Sequence, residues 1–559
     1  MATLLKIEIS HFRGIAHFSQ TFSKGITCII GRGDSGKTTI LDAISLVLSP
    51  SYTVGFYDSD FYQCDVTIPI QISATLINLP VQIKTKYGEY VVGVKECEII
   101  EDMESTDAQD AETALIVRLT IDKNLEPIWE VCSNRNQEPK IITAADRTKL
   151  NMAYISEYSD RQFSMMKGNP LFSIYKTKSE EEESLNTLVE VIRNSKSAID
   201  EKIADKFQVV IDDIKHCSSQ FGINAPNLKM EIDQRDIYVK DNKVCLHEGD
   251  VPLRLKGKGS KRLISLAIQL SLSDPNSIIL LDEVEVGLEP DRVQHLVHTL
   301  KKDYPNAQII LTTHSRDVIV ELDCTDLYVM RNGKDQLIQV DASMQGCVRS
   351  NPEAFFAERV IVCEGATEVG FCRALNEWRI SKGESNLAYI GIRLADGGGD
   401  NMINRAKMFK KLGFDVCLYC DSDNDSTNRS KEELRKEGID IIDCQDGFAF
   451  ESQLFNDVPW NVLNELIDCR KQDNVSDRNI YDIIKPHIVG DIDYNDDWLK
   501  TENAEIRAAI SKAAGEKEWF KRIDHGKKVG RVIFTKYNNL KNDCRIKWII
   551  DKLSEWIDK

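Results

Sequence analysis

A chain of 559 residues, 42% hydrophobic and 29% charged, can bury sizeable cores and suggests three or four domains. Its formal charge of −18 argues against a broadly basic, passive DNA coat, although local basic patches decide nucleic-acid contacts more than the sum does. No apolar run approaches the roughly 18 residues of a membrane span and no basic leader precedes the first strand pattern, so a cytoplasmic protein without a membrane partner is expected. The fifteen cysteines are scattered singly. Cys417 and Cys420 form a C-x-x-C, but their odd spacing in an apolar strand turns them to opposite faces, as reduced core thiols and not a zinc site.

Leu4 to Ile9 alternates as a strand and leads to His11-Phe12-Arg13-Gly14. An apolar run, Ile26 to Ile30, then enters Gly31-Arg-Gly-Asp-Ser-Gly-Lys37-Thr38, and a helix-like run follows from Thr39 to Leu48. The G-x-x-x-x-G-K-[ST] pattern therefore has the strand, loop and helix context that a phosphate-binding loop requires. Gly31, Gly33 and Gly36 let backbone N–H groups curl around phosphate oxygens. Lys37 reaches the β/γ-phosphates, the Thr38 hydroxyl can ligate Mg²⁺, and Thr39 completes the expected nucleotide contacts. Asp58 to Leu79, including Gln63 and the alternating Thr67 to Leu76, reads as further strands beside the nucleotide. Residues 100 to 170 give no clear pattern. From Glu180 to Lys215, Leu185, Leu188, Ile192, Ile199, Ile203, Phe207, Ile211 and Ile214 recur at helical spacing, as one long amphipathic helix or two. Ordinary packing is the first reading of that stripe, and a dimerisation arm the alternative.

Downstream, the glycine-containing Arg254 to Arg262, with Gly259 and Ser260, precedes an apolar helix from Leu263 to Leu272 and can offer backbone N–H groups to a γ-phosphate. Ile278 to Leu281 reads as a buried strand that runs into Asp282 and Glu283. There Asp282 can hold Mg²⁺ through water and Glu283 can polarise the attacking water. Gly287-Leu-Glu-Pro290 follows, and a strand from Ala307 to Thr313 delivers His314 toward the γ-phosphate. This ordered series resembles an ABC-type ATPase head of the SMC/Rad50/RecF class over about residues 1 to 345. The head is split into 1–170 and 226–345 by a helical insertion at 171–225. The resemblance implies ATP and Mg²⁺ as cofactors, and a homodimer or homotetramer, because such heads trap ATP between subunits. The signature loop lacks the usual Ser-Gly-Gly-Gln, and roughly 200 residues between the loops are too few for a long coiled-coil arm.

In the second half, Arg359 to Cys363 reads as a buried strand ending in Glu364-Gly365-Ala-Thr-Glu368. A helix to Arg379, a strand from Leu387 to Leu394, a glycine loop at Gly397 to Gly399 and a helix from Met402 to Leu412 follow. A strand from Phe414 to Cys420 then ends in Asp421-Ser-Asp423. Parallel strands of such βαβ units end on one edge, so Glu364, Asp421 and Asp423 are expected to converge, and the usual remedy for their repulsion is a hard divalent cation. Order and spacing resemble a Toprim domain, over residues 350–470, with Glu451 after the strand Ile439 to Asp443 matching the extra carboxylate of nuclease-type members.

An ABC-type ATPase followed by such a domain resembles the OLD (overcoming lysogenisation defect) family of ATP-dependent endonucleases, which includes effector subunits of Gabija-like and retron anti-phage systems. The implied fold is α/β: an ATPase head with an inserted helical arm, a parallel-sheet Toprim domain, and a helical C-terminal extension at 471–559. The resemblance implies a two-metal centre of Glu364, Glu368, Asp421, Asp423 and Glu451, with Mg²⁺, or alternatively Mn²⁺, and DNA as substrate. It also implies a lysine near the scissile phosphate, for which Lys521 and Lys527 are the candidates. The basic cluster Lys521, Arg522, His525, Lys527, Lys528 and Arg531 becomes a candidate DNA-backbone contact. Further implied partners are a helicase-like defence protein, or a reverse transcriptase with its retron nucleic acid. The competing expectation is a DNA-sensing ATPase clamp of the Rad50/RecF type whose Toprim domain does not cleave.

Overall fold

The computed structural model describes residues 2–559 apart from 52–53, 96–97, 101–110, 134–137, 156–162, 166–169, 172–173, 175–196, 233–243, 273–275, 472–475 and 490–497. The chain divides once, into a unit Met1–Val340 and a unit Asp341–Lys559.

In the first unit, the strands Met152–Ile155, Ile278–Leu281, Gln308–Thr312, Gly25–Ile30 and Leu327–Val329 lie side by side and parallel, with Ile338–Gln339 antiparallel at the edge. Every residue of Ile278–Leu281 and of Gln308–Thr312 is buried, as expected of parallel strands covered on both faces. Because the strands share a direction, Ile30, Leu281 and Thr312 end on one edge. That places the phosphate loop, Asp282 and His314 together although the sequence separates them widely. A second, antiparallel sheet runs in the order Ile15–Thr21, Thr3–Phe12, Ile70–Ile77, Glu112–Ile121, Val92–Lys95 and Glu98–Ile100. Its inward residues Ile7, Ile9, Ile72 and Leu119 share one core with Ile29, Leu280 and Ile310 of the parallel sheet and with Ile40 and Ile44 of the helix Lys37–Val47 between them.

Three sequence expectations change here. Between Asp58 and Leu79 only Ile70–Ile77 is a strand, and it joins the antiparallel sheet; Asp58–Asp60 and Tyr62–Cys64 are 3-10 turns. Gln63 and Cys64 have φ of 54° and 57°, which a strand cannot accommodate. The unpatterned stretch 100 to 170 carries strands Glu112–Ile121, Pro127–Cys132 and Met152–Ile155, the last of them at the edge of the parallel sheet. The amphipathic stretch is a helix over Ser197–Gln220 that buries Phe207, Val210, Ile211 and Ile214, and its residues 180–196, with Leu185, Leu188 and Ile192, lie outside the described residues.

The second unit is built on four parallel strands in the order Ile392–Asp396, Arg359–Cys363, Asp415–Cys420 and Asp440–Asp443. The strand expected from Leu387 begins only at Ile392. Residues 386–391 form turns, with Tyr389 N donating to Asn386 O at 3.0 Å and Gly391 at φ 80°. Cys417 and Cys420 are buried in the third strand. The helices Ala366–Ser381 and Ile523–Thr535 cross in near contact: a Cβ on Gly370 would lie 2.2 Å from Ile523 O, and one on Gly526 would lie 2.2 Å from Thr367 O. One apolar core runs from Ile361 and Phe371 through Phe450 and Leu454 to Ala509, Val529 and Ile549. The segments expected as separate, 350–470 and 471–559, therefore share a single core.

Candidate functional site

At the C-terminal edge of the first unit's parallel sheet, a cavity of about 740 Å³ opens over the phosphate loop. It is lined by residues 33–39, Glu283 and His314 together with residues 14–17, Tyr62, Met330 and 332–335. Gly31 sits at φ 155°, and a Cβ there would meet Met330 O at 2.6 Å, so this close turn requires glycine. The Lys37 ammonium curls back onto its own loop, donating to Gly31 O at 3.1 Å and Arg32 O at 2.9 Å. Burial lowers Lys37 to about 8 against the pull of Asp282, Glu283 and Glu285.

Thr38 Oγ1 donates to Asp282 Oδ1 at 3.2 Å, so the hydroxyl and carboxylate expected to serve Mg²⁺ already meet. Thr312, which the sequence reading did not single out, donates to the same Asp282 oxygen at 2.6 Å and accepts from Glu283 N at 2.8 Å. Glu283 itself has φ 43°, a strained conformation of the kind that gathers at functional turns. His314 is held below its usual range by burial and then by the charge of Lys37. A second residue missed in the sequence is Glu285, which accepts from Thr313 Oγ1 and from His314 N, both at 2.6 Å.

Gly259 and Ser260 fall in the first turn of the helix Lys258–Leu272, outside the residues that line this cavity. Arg262 on the next part of that turn is buried and donates to Asp282 O at 2.5 Å, tying the signature helix to the acidic turn.

At the corresponding edge of the second unit, the strand ends bring Glu364 and Asp421 together: Glu364 N donates to Tyr419 O at 2.9 Å, and Asp421 N to Glu364 Oε2 at 2.8 Å. Glu368 caps its own helix by accepting from Gly365 N at 2.9 Å. Asp421 Oδ1 accepts from Phe450 N at 2.9 Å, which joins the Asp421 turn to the helix Phe450–Asp457 that carries Glu451. Glu451 in turn accepts from the Thr367 hydroxyl at 3.3 Å. Asp423 is exposed beside them.

Burial raises all four of the enclosed carboxyls. Glu368 reaches about 8, with Glu451 and Glu364 adding to the effect of burial. Asp421 lies well above the usual carboxylate range through burial and then through Glu368, Glu364 and Glu451. Glu364 is raised by burial, offset by the amide of Asp421 and reinforced by Asp423. Glu451 is raised by burial and partly relieved by Lys521. This all-oxygen, mutually repelling set suits a hard divalent cation. Among the described residues, however, no three ligating side chains already stand together as a metal cage, and Glu364, Glu368, Asp421 and Glu451 are each engaged by a backbone amide or a hydroxyl.

The two candidate lysines part company. Burial works against the Lys521 ammonium, but Glu451 and Glu518 hold it above its usual range; it pairs with Glu518 at 3.4 Å and stands within electrostatic reach of the acidic centre. Lys527 pairs with Glu377 at 2.5 Å, and Arg531 pairs with the same carboxylate at 2.9 Å. Arg522 pairs with Asp524, and His525 is buried. The expected basic cluster is therefore largely neutralised by its own neighbours. The sequence reading also missed Lys431, a buried lysine that donates to Ser422 Oγ at 2.7 Å and Asp421 O at 3.2 Å and pairs with Asp443 at 2.8 Å. Arg545 joins Asp443 from the other side. Two further basic stretches, Arg254 to Arg262 and Arg405 to Lys411, also contain paired lysines: Lys256 with Glu248, and Lys407 with Glu433 and Glu437.

Comparison with known proteins fits this picture. An AAA domain model matches residues 6–236, and a second AAA domain model, described with the AbiEii toxin of a Type IV TA system, matches residues 152–321. A model described as "Overcoming lysogenization defect protein-like, TOPRIM domain" matches residues 355–423. The chain thus joins an ATP-binding AAA-type ATPase region to an OLD-like TOPRIM domain, the pair its motifs led us to expect.

Among individual proteins, it is 27% identical to "Retron Ec83 probable ATPase" of Escherichia coli over 197 residues, which is 33% of this chain and 35% of that protein. It is 41% identical to the glucosylceramide transporter ABCA12 of Homo sapiens over 81 residues, which is 14% of this chain and 3% of the transporter. The chain therefore spans about a third of the length of the retron relative and far less of the transporter. Among solved structures, it is similar to an Smc head bound to the C-winged helix domain of ScpA, with TM-score 0.38, 15% identity, and coverage of 61% of this chain and 99% of that one. It is also similar to an SMC head domain from Thermotoga maritima, with TM-score 0.31, 15% identity, and coverage of 60% and 99%. No described helix is long and apolar enough to cross a membrane.

Proposed function

We propose that the TOPRIM unit is a metal-dependent DNA endonuclease governed by ATP at the head, and that the protein acts as an anti-phage effector. The observation that carries the reading is the gathering of Glu364, Glu368, Asp421 and Glu451 at one sheet edge, each raised by burial and two of them, Glu368 and Asp421, by the others as well. A module that only binds DNA gains nothing from burying four carboxyls beside a polyanion. With Asp423, these residues would hold Mg²⁺ or Mn²⁺, which when bound supplies an activated water and neutralises phosphate charge.

The chain's own contribution is positional. The amide of Asp421 orients Glu364, and the amide of Phe450 orients Asp421. Lys521, within electrostatic reach of the acidic centre, offers a positive charge to the phosphate as negative charge builds. Lys527 is less suited, being paired with Glu377. At the head, Thr38 and Asp282 would hold the nucleotide's Mg²⁺, Lys37 would bind phosphate, and Glu283 would polarise water. Homo-oligomerisation through the heads, and a helicase-like or retron partner, belong to the same proposal; the printed name of the retron relative supports the latter.

One observation favours the rival, an ATPase clamp with a non-cleaving TOPRIM domain: among the described residues the carboxylates are engaged by amides or a hydroxyl and no three of them stand as a formed cage. Incubating the full chain with supercoiled plasmid and Mg²⁺, with and without ATP, separates the two. Nicked or linear product that Asp421→Ala does not make supports the nuclease. Retarded but intact plasmid, identical for both proteins, establishes the clamp.

A further inference from the structure

The turn from Asp282 to Leu288 is closed by its own hydrogen bonds: Val286 N donates to Glu283 O at 3.0 Å and Leu288 N to Glu285 O at 2.9 Å. Its two ends do different things. The first carries Asp282 and Glu283 toward the nucleotide cavity. The second carries Gly287, whose carbonyl lies where a Cβ on Gly259 would come within 2.6 Å, and which also rests against Lys258. The turn is therefore packed directly against the start of the signature helix. Between the two ends sits Glu285, half-buried and outside the cavity lining. Its carboxylate points to neither end. One oxygen accepts from the Thr313 hydroxyl and the other from the backbone N–H of His314, each at 2.6 Å. The Thr313 hydroxyl also accepts from Ser315 N at 2.9 Å, so the carboxylate organises three consecutive residues of the loop that delivers His314.

We propose that Glu285 is a positioning residue for ATP hydrolysis: it fixes the His314 loop against the nucleotide cavity and joins that loop to the turn supporting the signature helix. This rests on the ATPase reading and on His314 acting at the phosphates. A bidentate carboxylate is the group the position demands, since both facing groups are donors and an ionised carboxylate only accepts. Any displacement at the signature helix that moves Gly287 is passed through the closed turn to Glu285, and from there to His314. A glutamine keeps the length but turns an N–H₂ toward a donor, and alanine releases the loop altogether.

The test measures kcat at saturating ATP, together with the Kd of a non-hydrolysable ATP analogue. It uses the full chain and the variants Glu285→Gln, Glu285→Ala, His314→Ala and the double Glu285→Ala/His314→Ala. Misplacing a group by about 1 Å can cost on the order of a hundredfold. We therefore expect Glu285→Ala to lose roughly tenfold to a hundredfold in kcat, Glu285→Gln to fall between it and wild type, and both to keep analogue affinity within about twofold. The double variant is no slower than His314→Ala, because two residues acting through one group are not additive. Glu285→Gln, of unchanged size, carries the test if Glu285→Ala folds poorly. Wild-type kcat in both Glu285 variants beside a slow His314→Ala overturns the proposal alone. So does a double variant slowed by the product of the single losses, or a loss of kcat matched by loss of analogue binding. Wild-type turnover by His314→Ala removes the underlying role of His314, and the proposal with it.

Discussion

In the head, a lysine stands among carboxylates; in the TOPRIM unit, carboxylates stand among themselves. Lys37 is surrounded by Asp282, Glu283, Glu285 and its own loop carbonyls, and the residues expected around a nucleotide already touch. Glu364, Glu368, Asp421 and Glu451 are raised first by burial and, for Glu368 and Asp421, also by one another, with Lys521 and Lys431 supplying positive charge nearby. The difference teaches where each site gets its counter-charge. The head's Lys37 is part of the phosphate loop itself, whereas the four TOPRIM carboxyls outnumber the lysines beside them and are engaged by amides and a hydroxyl.

The strongest way to break this comparison is to disable one centre and read the other. Asp421→Ala is expected to reduce plasmid cleavage to background, beyond the roughly 10–100-fold cost of losing an outer-shell partner, with ATP turnover unchanged. Glu283→Gln is expected to bind ATP normally and lose roughly 10²–10⁴-fold in hydrolysis. If Asp421→Ala also slows ATP turnover, the two chemistries are not independent. Lys37→Ala should abolish tight nucleotide binding.

A smaller effect follows from the depressed Lys37. In the free protein it is half deprotonated near pH 8, and a bound phosphate favours its charged form. ATP binding above that pH must therefore take up a proton, and affinity falls as pH rises through 8, by at most about tenfold per unit. Calorimetry at pH 7 and 9 in buffers of different ionisation enthalpy reads both the affinity and the proton; equal affinities at the two pH values would contradict the burial of Lys37.

In the TOPRIM centre the pKa shift runs the other way, upward, though the loss again comes as pH rises. Glu368 rises from 4.5 unfolded to about 8 folded, so the native state holds the extra proton between those values. Its contribution to stability is complete below pH 4.5 and is lost as pH rises through 8. Metal-free protein should lose more melting temperature between pH 5.5 and 8 than Glu368→Gln does, and Mn²⁺ should restore part of it. Matching pH profiles for the two proteins would mean that Glu368 is ordinary.

The smallest effect concerns the basic cluster. Lys527 and Arg531 share Glu377, so replacing Lys527, Lys528 and Arg531 in an Asp421→Ala background should flatten the slope of log K against log salt by no more than about two units. A change of three would show that DNA draws both cations away from Glu377.

Much of the head was legible because its chemistry lies in contiguous motifs on strands that sequence patterns find easily: Gly31 to Thr38, Asp282, Glu283 and His314 all lie at the ends of buried apolar runs. Thr312 and Glu285 were not legible. A threonine closing a strand and a glutamate four residues past the end of another acquire meaning only when parallel pairing sets the two ends side by side. In the TOPRIM unit, strand order and the motif carboxylates were readable, but Lys431 sits in the highly charged helix Asp425–Lys436, where a buried lysine looks like its solvated neighbours. The strand from Met152 escaped notice because four residues of mixed character carry too short a period. The pairing within the basic cluster was not legible because Glu377, which pairs with Lys527 and Arg531, lies far away in sequence and meets them only through the crossing of two helices.

That crossing also constrains how the protein is made. Helix Ile523–Thr535 is locked into Ala366–Ser381 at Gly370 and Gly526, Arg545 reaches back to Asp443, and Arg359, at the start of the first TOPRIM strand, donates to the carbonyls of Trp556 and Ile557. A ribosome that has exposed every acidic residue of the centre has not yet exposed the helices that close its core. The head can fold while the rest is being translated, but the TOPRIM unit has to wait for the helix Arg545–Asp558 to leave the exit tunnel. A chain stalled or clipped before that helix would present Glu364, Asp421 and Glu451 on an unfinished scaffold.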